Sequence, residues 1–141
     1  MAPGNAYNYL GSSSWVALTV EKPIVDEQRR TMNWAHVVPG MLHPSGTMQA
    51  AGSSYNWMIN QLCQNERTLA AQSGRSVFEL IDEQIISSPI GANKLLFLPY
   101  MLGERTPRWN VDAKGAFIGL TLGHTHGDMS VSYTHLTLPT I

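Results

Sequence analysis

One stretch of the sequence, GSSSW at positions 11–15, has the composition of a loop that could hold a phosphate group. Gly11 permits a tight turn, and the hydroxyls of Ser12 and Ser13 can bond either to the turn's own backbone or to the oxygens of a ligand. A phosphate loop needs N–H groups and hydroxyls that converge on one anion, and small residues after a glycine supply them. Taken alone, the stretch predicts a short hairpin, with a phosphate loop as the alternative.

His124, His126 and Asp128 have the side chains of a metal site. Side chains two residues apart on a helix do not share a face, so we predict no metal site there and no metal ligands elsewhere in the chain. Cys63 is the single cysteine, so neither a disulfide framework nor a multi-cysteine zinc site can form. We expect an inert thiol, buried or half-buried, in a reducing cytoplasmic setting.

The elements that must position these residues alternate between strands and helices. Strand patterns cover residues 7–10, 15–20, 32–38 and 41–44. An amphipathic helix then begins around residues 50–53, where Gly52 and Ser53 leave open backbone N–H groups. A short helical piece over 66–72 ends at Gly74, and a capping box of Ser76 and Glu79 opens a helix to about residue 86. Its inward side chains are predicted to be Val77, Phe78, Ile81 and Ile85.

The remaining pattern completes a single α/β unit. Residues 94–100 form a nearly continuous apolar run, which predicts a strand buried on both faces. A polar loop over 103–115 follows, then a last strand over 116–122 and the start of a further helix near residues 125–128. No repeat or linker divides the chain, so we predict one domain.

Charge is scarce in this sequence. Asp, Glu, Lys and Arg make up 13% of its 141 residues, against about 25% in ordinary soluble proteins. We therefore expect part of the surface to be covered, either by a second copy in a homo-oligomer or by a missing domain. A net charge of −1 without a long basic run argues against nucleic acid as a partner. No uncharged apolar segment approaches the roughly 18 residues of a membrane span, and the start lacks a signal-peptide pattern, so we expect no membrane partner.

The last residues break the α/β pattern. VSYTHLTLPT at 131–140 switches to charge-free, β-branched residues, which is typical of an edge strand or a frayed tail. It also resembles the translation of a sequencing-library transposase adapter, read through the end of a truncated gene. We therefore predict a domain over 1–130 and a non-native tail over 131–141, and give Tyr133 and His135 no functional weight.

Three stretches, in order, resemble the C-terminal domain of the FGGY carbohydrate kinases, the xylulokinase-like members in particular. They are GSSSW at 11–15, SGTMQAAGSSYNWM at 45–58 and FLPYMLGERTPRWNVDAKGAFIGLTLGHT at 97–125. The third is the most specific, because its apolar strand, Gly-Glu-Arg-Thr-Pro loop, Ala-Lys-Gly and Gly-Leu-Thr stand in the family's order and spacing. The resemblance implies an α/β fold of the ribonuclease-H-like type, shared with actin and hexokinase, of which this chain would be an incomplete C-terminal lobe.

The resemblance also implies an activity. Such a kinase would transfer a phosphoryl group from ATP, with Mg²⁺ arriving on the nucleotide, to a hydroxyl of a sugar, here a pentulose such as xylulose. Gly11, Ser12 and Ser13 would bind the ATP phosphates, and Gly52 and Asn56 the nucleoside.

Three further positions are matched less specifically. Trp15 stands where some relatives place an aromatic side chain near the substrate, with a core tryptophan as the alternative. Glu104 and Arg105 would either order the cleft between two lobes or form a surface ion pair.

The resemblance assigns no catalytic residue to this chain. The family's general-base aspartate lies upstream of the Gly-Ser loop, in a segment that would precede Met1, and the N-terminal sugar-binding lobe precedes it too. We therefore expect the isolated chain to lack sugar kinase activity. A non-catalytic nucleotide-binding or assembly module of the actin-like superfamily remains the alternative function.

Overall fold

The computed structural model describes residues 2–134. Its strands are β1 (Ala6–Leu10), β2 (Ser14–Leu18), β3 (Met32–Ala35), β4 (Leu42–Met48), β5 (Leu96–Leu98) and β6 (Ala116–Ile118). Its helices are α1 (Gly52–Leu62), α2 (Gln64–Ser73), α3 (Val77–Ser87) and α4 (His126–Thr134), with a short 3-10 turn at Ala92–Lys94. In chain order these are four strands, three helices, two strands and a last helix, which confirms the order of strands and helices predicted from the sequence.

The first four strands form an antiparallel sheet in the order β1-β2-β4-β3. Leu10 pairs with Ser14 where the β1–β2 hairpin closes, and Ser14 pairs with Met48 on its other side. β4 therefore runs four residues beyond the predicted end at residue 44. Pro44 and Gly46 weaken the strand signal in the sequence, but β2 and β3 pair with β4 on both sides and hold it extended.

The prediction of a doubly buried strand over 94–100 is wrong. β5 has three residues and pairs with β6 alone in the described part of the chain. Leu96 is 58% exposed, whereas Phe97 is buried and its ring centroid lies 4.8 Å from that of Phe117. One face of this two-stranded sheet is therefore packed and the other is open.

Helices α1 and α3, with Cys63 between α1 and α2, build one apolar core cluster. Met58, Ile59, Cys63 and Ile81 are its buried centre, which confirms a buried cysteine. The capping box of α3 is confirmed, since the Ser76 hydroxyl accepts from the Phe78 N–H and the Glu79 carboxylate accepts from the Ser76 N–H. Phe78 itself is 46% exposed, so its predicted inward orientation is wrong, and Leu80 is buried instead.

α4 is held at its start by Asp128, which is buried. Its carboxylate accepts hydrogen bonds from Ser88 Oγ at 2.7 Å, Asn93 Nδ2 at 2.9 Å, Thr125 N at 2.8 Å and Thr125 Oγ1 at 2.9 Å. These bonds, led by the one from Ser88, hold the pKa of Asp128 below its ordinary value. A carboxylate with four donors anchors the helix to the segments before it.

The predicted domain boundary between residues 130 and 131 falls inside α4. Val131 and Tyr133 are buried, and the Tyr133 ring stacks on Tyr55 with centroids 5.0 Å apart. Residues 135–141 of the predicted tail, with His135, lie outside the described residues. The adapter origin of the tail stays a prediction.

Among residues 2–134 no helix has the length and apolar character needed to cross a membrane.

Candidate functional site

Residues 11–13 form the turn between β1 and β2, as the hairpin prediction required. The Gly11 N–H donates to the Ser13 carbonyl at 2.8 Å, which closes the turn one residue beyond the last strand pair. Ser12, at the tip, is exposed. We call these three residues the serine loop.

Two carbonyls of the serine loop, those of Gly11 and Ser12, are bonded to residues at the start of α1. Ser12 O accepts from Ala51 N at 2.8 Å, from Ser53 N at 3.1 Å and from the Ser53 hydroxyl at 2.8 Å, and Gly11 O accepts from Gly52 N at 2.9 Å. The expectation that Gly52 and Ser53 present open N–H groups is therefore wrong. The first N–H groups of a helix need partners outside it, and here the loop supplies them.

Gly52 is the residue that lets the loop lie this close. A Cβ at position 52 would stand 2.6 Å from Gly11 O and 3.3 Å from the Gly11 carbonyl carbon, well inside ordinary contact distance. From the sequence we expected a nucleoside to lie close to Gly52; in the structure the backbone of the serine loop lies there, and a nucleoside contact stays a prediction. Gly52 and Gly11 are thus brought together although 41 positions separate them.

The donors of the loop are arranged differently from its acceptors. No acceptor within residues 2–134 bonds the backbone N–H of Ser12 or Ser13, and their hydroxyls are likewise without an internal partner there. The carbonyls of Gly11 and Ser12 are engaged at the start of α1 and that of Ser13 by the Gly11 N–H, so the loop has two N–H groups and two hydroxyls to offer a ligand. Such a donor set on one tight turn fits an anion such as a phosphate.

Asn56 lies one turn of α1 after Gly52 and is exposed. Residues four apart share a face of a helix, so its amide is on the side of α1 where the serine loop docks. No internal hydrogen bond of the described chain engages the Asn56 side chain.

Trp15 belongs to a group of rings on one face of the sheet. Its ring stacks on Tyr9 with centroids 5.1 Å apart, meets Tyr7 edge-on at 5.4 Å and lies 5.9 Å from His43. The Tyr7 hydroxyl is 2.8 Å from His43 Nδ1. This packing accounts for a tryptophan at position 15 without a substrate, and a role near the substrate stays a prediction.

Glu104 and Arg105 form no ion pair with each other in the described structure. Glu104 is buried, at 6% exposure. Its Oε1 accepts from the Arg105 N–H at 2.7 Å, and its backbone pairs with Asn110 at 2.8 and 2.9 Å. Burial raises the pKa of the Glu104 carboxyl. Glu104 therefore organises the loop from inside, while Arg105 is exposed.

Sequence reasoning missed Thr106, which connects this loop to the sheet. Its Oγ1 donates to the Thr47 carbonyl at 3.0 Å and accepts from the Thr47 N–H. Thr47 lies beside Trp15 in the strand register. A threonine in a Gly-Glu-Arg-Thr-Pro loop carries no local sign of such a distant contact, so no signal in the sequence could have found it.

His124, His126 and Asp128 have different partners in the described part of the chain, and the expectation that these three form no metal site stays a prediction. The Asp128 carboxylate is engaged by Ser88, Asn93 and Thr125, and His124 Nδ1 accepts from the Thr121 N–H at 2.9 Å. His126 instead lies with Cys63 and Glu66, with one ligating atom of each within 4.8 Å of the others.

The chain is similar to known carbohydrate kinases in sequence and in fold. The C-terminal domain model of the FGGY family of carbohydrate kinases matches residues 6–135. A xylulose kinase of Staphylococcus epidermidis is 37% identical over 119 residues, covering 84% of this chain and 22% of that protein. A gluconokinase of Bacillus subtilis is 30% identical over 119 residues, covering 82% and 22%. The crystal structure of xylulose kinase from Rhodospirillum rubrum has a TM-score of 0.72 at 31% identity, over 94% of this chain and 25% of that one.

The chain thus spans about a quarter or less of the length of the proteins it matches. Its fold is the partial α/β fold of these sugar kinases, of the actin and hexokinase type, which confirms the predicted fold class. The chain belongs to the FGGY family of carbohydrate kinases and corresponds to their C-terminal domain.

Proposed function

We propose that the chain is the ATP-phosphate-binding part of a carbohydrate kinase that phosphorylates a hydroxyl of a pentulose such as xylulose. The observation that carries the proposal is the serine loop, in which the carbonyls of Gly11 and Ser12 are bonded to the start of α1 while the N–H groups of Ser12 and Ser13 have no internal acceptor in the described chain. Donors fixed in advance stabilise negative charge without reorganising when the ligand arrives.

The serine loop would serve phosphoryl transfer by positioning and charge stabilisation. In this reaction the protein mainly holds the phosphates and stabilises the charge spread over their oxygens. Gly11, Ser12 and Ser13 would contact phosphate oxygens, and Gly52 and Asn56 would lie on the nucleoside side of the same loop. Mg²⁺ would enter with ATP and be held chiefly by phosphate oxygens.

The rest of the kinase would cover apolar surface that the described chain leaves open. Leu96, Ile118, Leu120 and Leu122 are all at least half exposed. A cavity of about 530 Å³ beside the sheet is lined by Val16, Leu18 and Pro44 among others. We propose that the N-terminal sugar-binding lobe and the remaining C-terminal residues cover this surface. A homo-oligomer is the competing explanation of the low charge.

The alternative of a non-catalytic assembly module is not favoured, because the family match and the relatives are carbohydrate kinases. An enzyme that draws on ATP is expected in the cytoplasm, so we place the proposed kinase there. Xylulose and gluconate are both named among the relatives' substrates, and we propose the pentulose.

The test is Mg-ATP binding by the purified chain, measured calorimetrically. We expect Ser12→Ala to weaken binding about tenfold, the value of one hydrogen bond to a charged group. The matched control is Ser73→Ala, since the Ser73 hydroxyl donates to the Leu69 carbonyl on exposed α2. Equal loss in both variants, or no loss in either, would contradict a phosphate-binding role for the serine loop.

Activity is tested in two proteins. We expect no xylulose-dependent ADP formation by the 141-residue chain, and ADP formation by the longer protein encoded with its upstream reading frame. Xylulose should be preferred over gluconate in that assay. A longer protein that binds ATP but phosphorylates neither sugar would favour the assembly module.

A further inference from the structure

Two side chains at the α1–α2 junction and one at the start of α4 meet away from the serine loop. Cys63, between α1 and α2, is fully buried, and Glu66, in the first turn of α2, is 9% exposed. His126 is the first residue of α4, and its side chain is 38% exposed. One ligating atom of each lies within 4.8 Å of the other two.

The two oxygens of Glu66 have different surroundings. Oε1 accepts from Gln84 Nε2 at 2.7 Å and lies 3.2 Å from His126 Nδ1. Oε2 is buried and has no hydrogen-bond partner within the described chain. A buried carboxylate oxygen without a partner is costly and uncommon in native proteins. A carboxylate oxygen in this situation is available as a ligand atom for a cation.

We propose that Cys63, Glu66 and His126 bind a divalent transition-metal ion, with Zn²⁺ as the preferred ion and solvent as a fourth ligand. Sulfur, imidazole nitrogen and carboxylate oxygen together are a Zn²⁺ ligand set, whereas Mg²⁺ and Ca²⁺ take oxygen ligands. The partial exposure of His126 leaves the solvent access that the fourth position needs.

Metal binding would require the three ligand atoms to move closer together. Zinc-ligand bonds of about 2.0–2.3 Å place tetrahedral ligand atoms roughly 3.3–3.8 Å apart, so a site now spread over as much as 4.8 Å contracts by about 1 Å. Cys63 and Glu66 are fixed by burial in the core and by Gln84. His126 is the ligand that moves, because its side chain is partly exposed at the start of a helix.

The metal ion would join two helical segments that are far apart in the sequence. Cys63 and Glu66 belong to the α1–α2 junction and His126 to α4, with 60 positions between Glu66 and His126. An ion that binds the folded chain more tightly than the unfolded one raises its stability by mass action. Zn²⁺ should therefore raise the melting temperature of the chain.

The test is titration of the reduced, metal-free chain with Co²⁺, followed by displacement with Zn²⁺. We expect one equivalent to give thiolate-to-cobalt charge-transfer absorption and tetrahedral d–d bands, both abolished by Zn²⁺. Cys63→Ala should lose the charge-transfer band. His126→Asn should weaken Co²⁺ binding at least about tenfold, as even loss of an outer contact does at metal sites.

The matched control is His124→Asn, which removes a nearby histidine that bonds Thr121 instead and should bind Co²⁺ as the parent does. Circular dichroism of each variant separates a lost ligand from a lost fold, and His126 is exposed enough for its variant to fold if Cys63→Ala does not. The proposal is overturned by a titration without a charge-transfer band, or by His126→Asn and His124→Asn binding equally. Neither result bears on ATP binding by the serine loop.

Discussion

Gly52→Ala probes the contact on which the candidate phosphate site depends. The added Cβ would stand 2.6 Å from Gly11 O, where carbon and oxygen atoms in ordinary contact are separated by about 3.4 Å or more. The obstacle is backbone on both sides, so no side-chain rotation relieves it. The serine loop must move away from the start of α1 by most of an ångström.

This movement weakens three backbone hydrogen bonds to the loop carbonyls, from Ala51 N at 2.8 Å, Gly52 N at 2.9 Å and Ser53 N at 3.1 Å. Each is worth about 1 kcal/mol net, or about 3 kcal/mol together. Alanine is the better helix former by up to about 1 kcal/mol. We therefore expect Gly52→Ala to lower the free energy of unfolding by about 2 kcal/mol and to weaken Mg-ATP binding.

Urea unfolding of the purified chain measures the first effect and calorimetry the second. Gly123→Ala is the matched control, because a Cβ there would meet only Thr121 Oγ1 at 3.7 Å. Its free energy of unfolding should change by no more than about 0.5 kcal/mol. A Gly52→Ala variant as stable as Gly123→Ala would contradict the close contact between Gly52 and the Gly11 carbonyl.

Three further predictions concern stability. Asp128→Asn should cost about 2–4 kcal/mol in urea unfolding, because an amide cannot accept from all the donors around this buried carboxylate; an unchanged midpoint would contradict its role as the anchor of α4. Ser76→Ala should cost about 1 kcal/mol by removing the cap of α3, and an equal loss in exposed Ser87→Ala would argue against capping. Burial raises the pKa of the Glu104 carboxyl in the folded chain. Below the ordinary pKa of a glutamate this difference stabilises the folded state, and the stabilisation is lost as pH rises through the raised pKa. Unfolding measured from about pH 4 to 7 should show Glu104→Gln gaining on the parent as pH rises, and parallel curves would contradict this.

The features of the fold that could be predicted are those specified by residues close together in the sequence. The Gly-Ser turn between two strand patterns, the helix start near Gly52 and the capping box of Ser76 are each specified by neighbouring residues, and the structure confirms all three. The family resemblance was also readable, because the Gly-Glu-Arg-Thr-Pro loop and its flanks are specific.

Contacts between distant segments could not be predicted. β4 continues past Pro44 only because strands on both sides pair with it. The hydrogen bond from the Ser53 hydroxyl to the Ser12 carbonyl joins positions 41 apart. No local signal shows that the first N–H groups of a helix will donate to the carbonyls of a distant loop. Cys63 and His126 are likewise joined only by packing. Phe78 was predicted to be buried but is exposed, whereas Leu80 is buried. The spacing of apolar residues does not decide which of these two sides of α3 faces the core.

Phosphate binding by the serine loop is tested most directly by the backbone amide signals of the ¹⁵N-labelled chain during titration with Mg-ATP. A phosphate site in the serine loop predicts the largest shifts at Ser12 and Ser13, smaller ones at Gly52, and none beyond background in Ser73. Inorganic triphosphate should reproduce the shifts at Ser12 and Ser13. Saturable ATP binding that leaves the Ser12 and Ser13 signals in place would contradict the assignment of this loop as the phosphate-binding element.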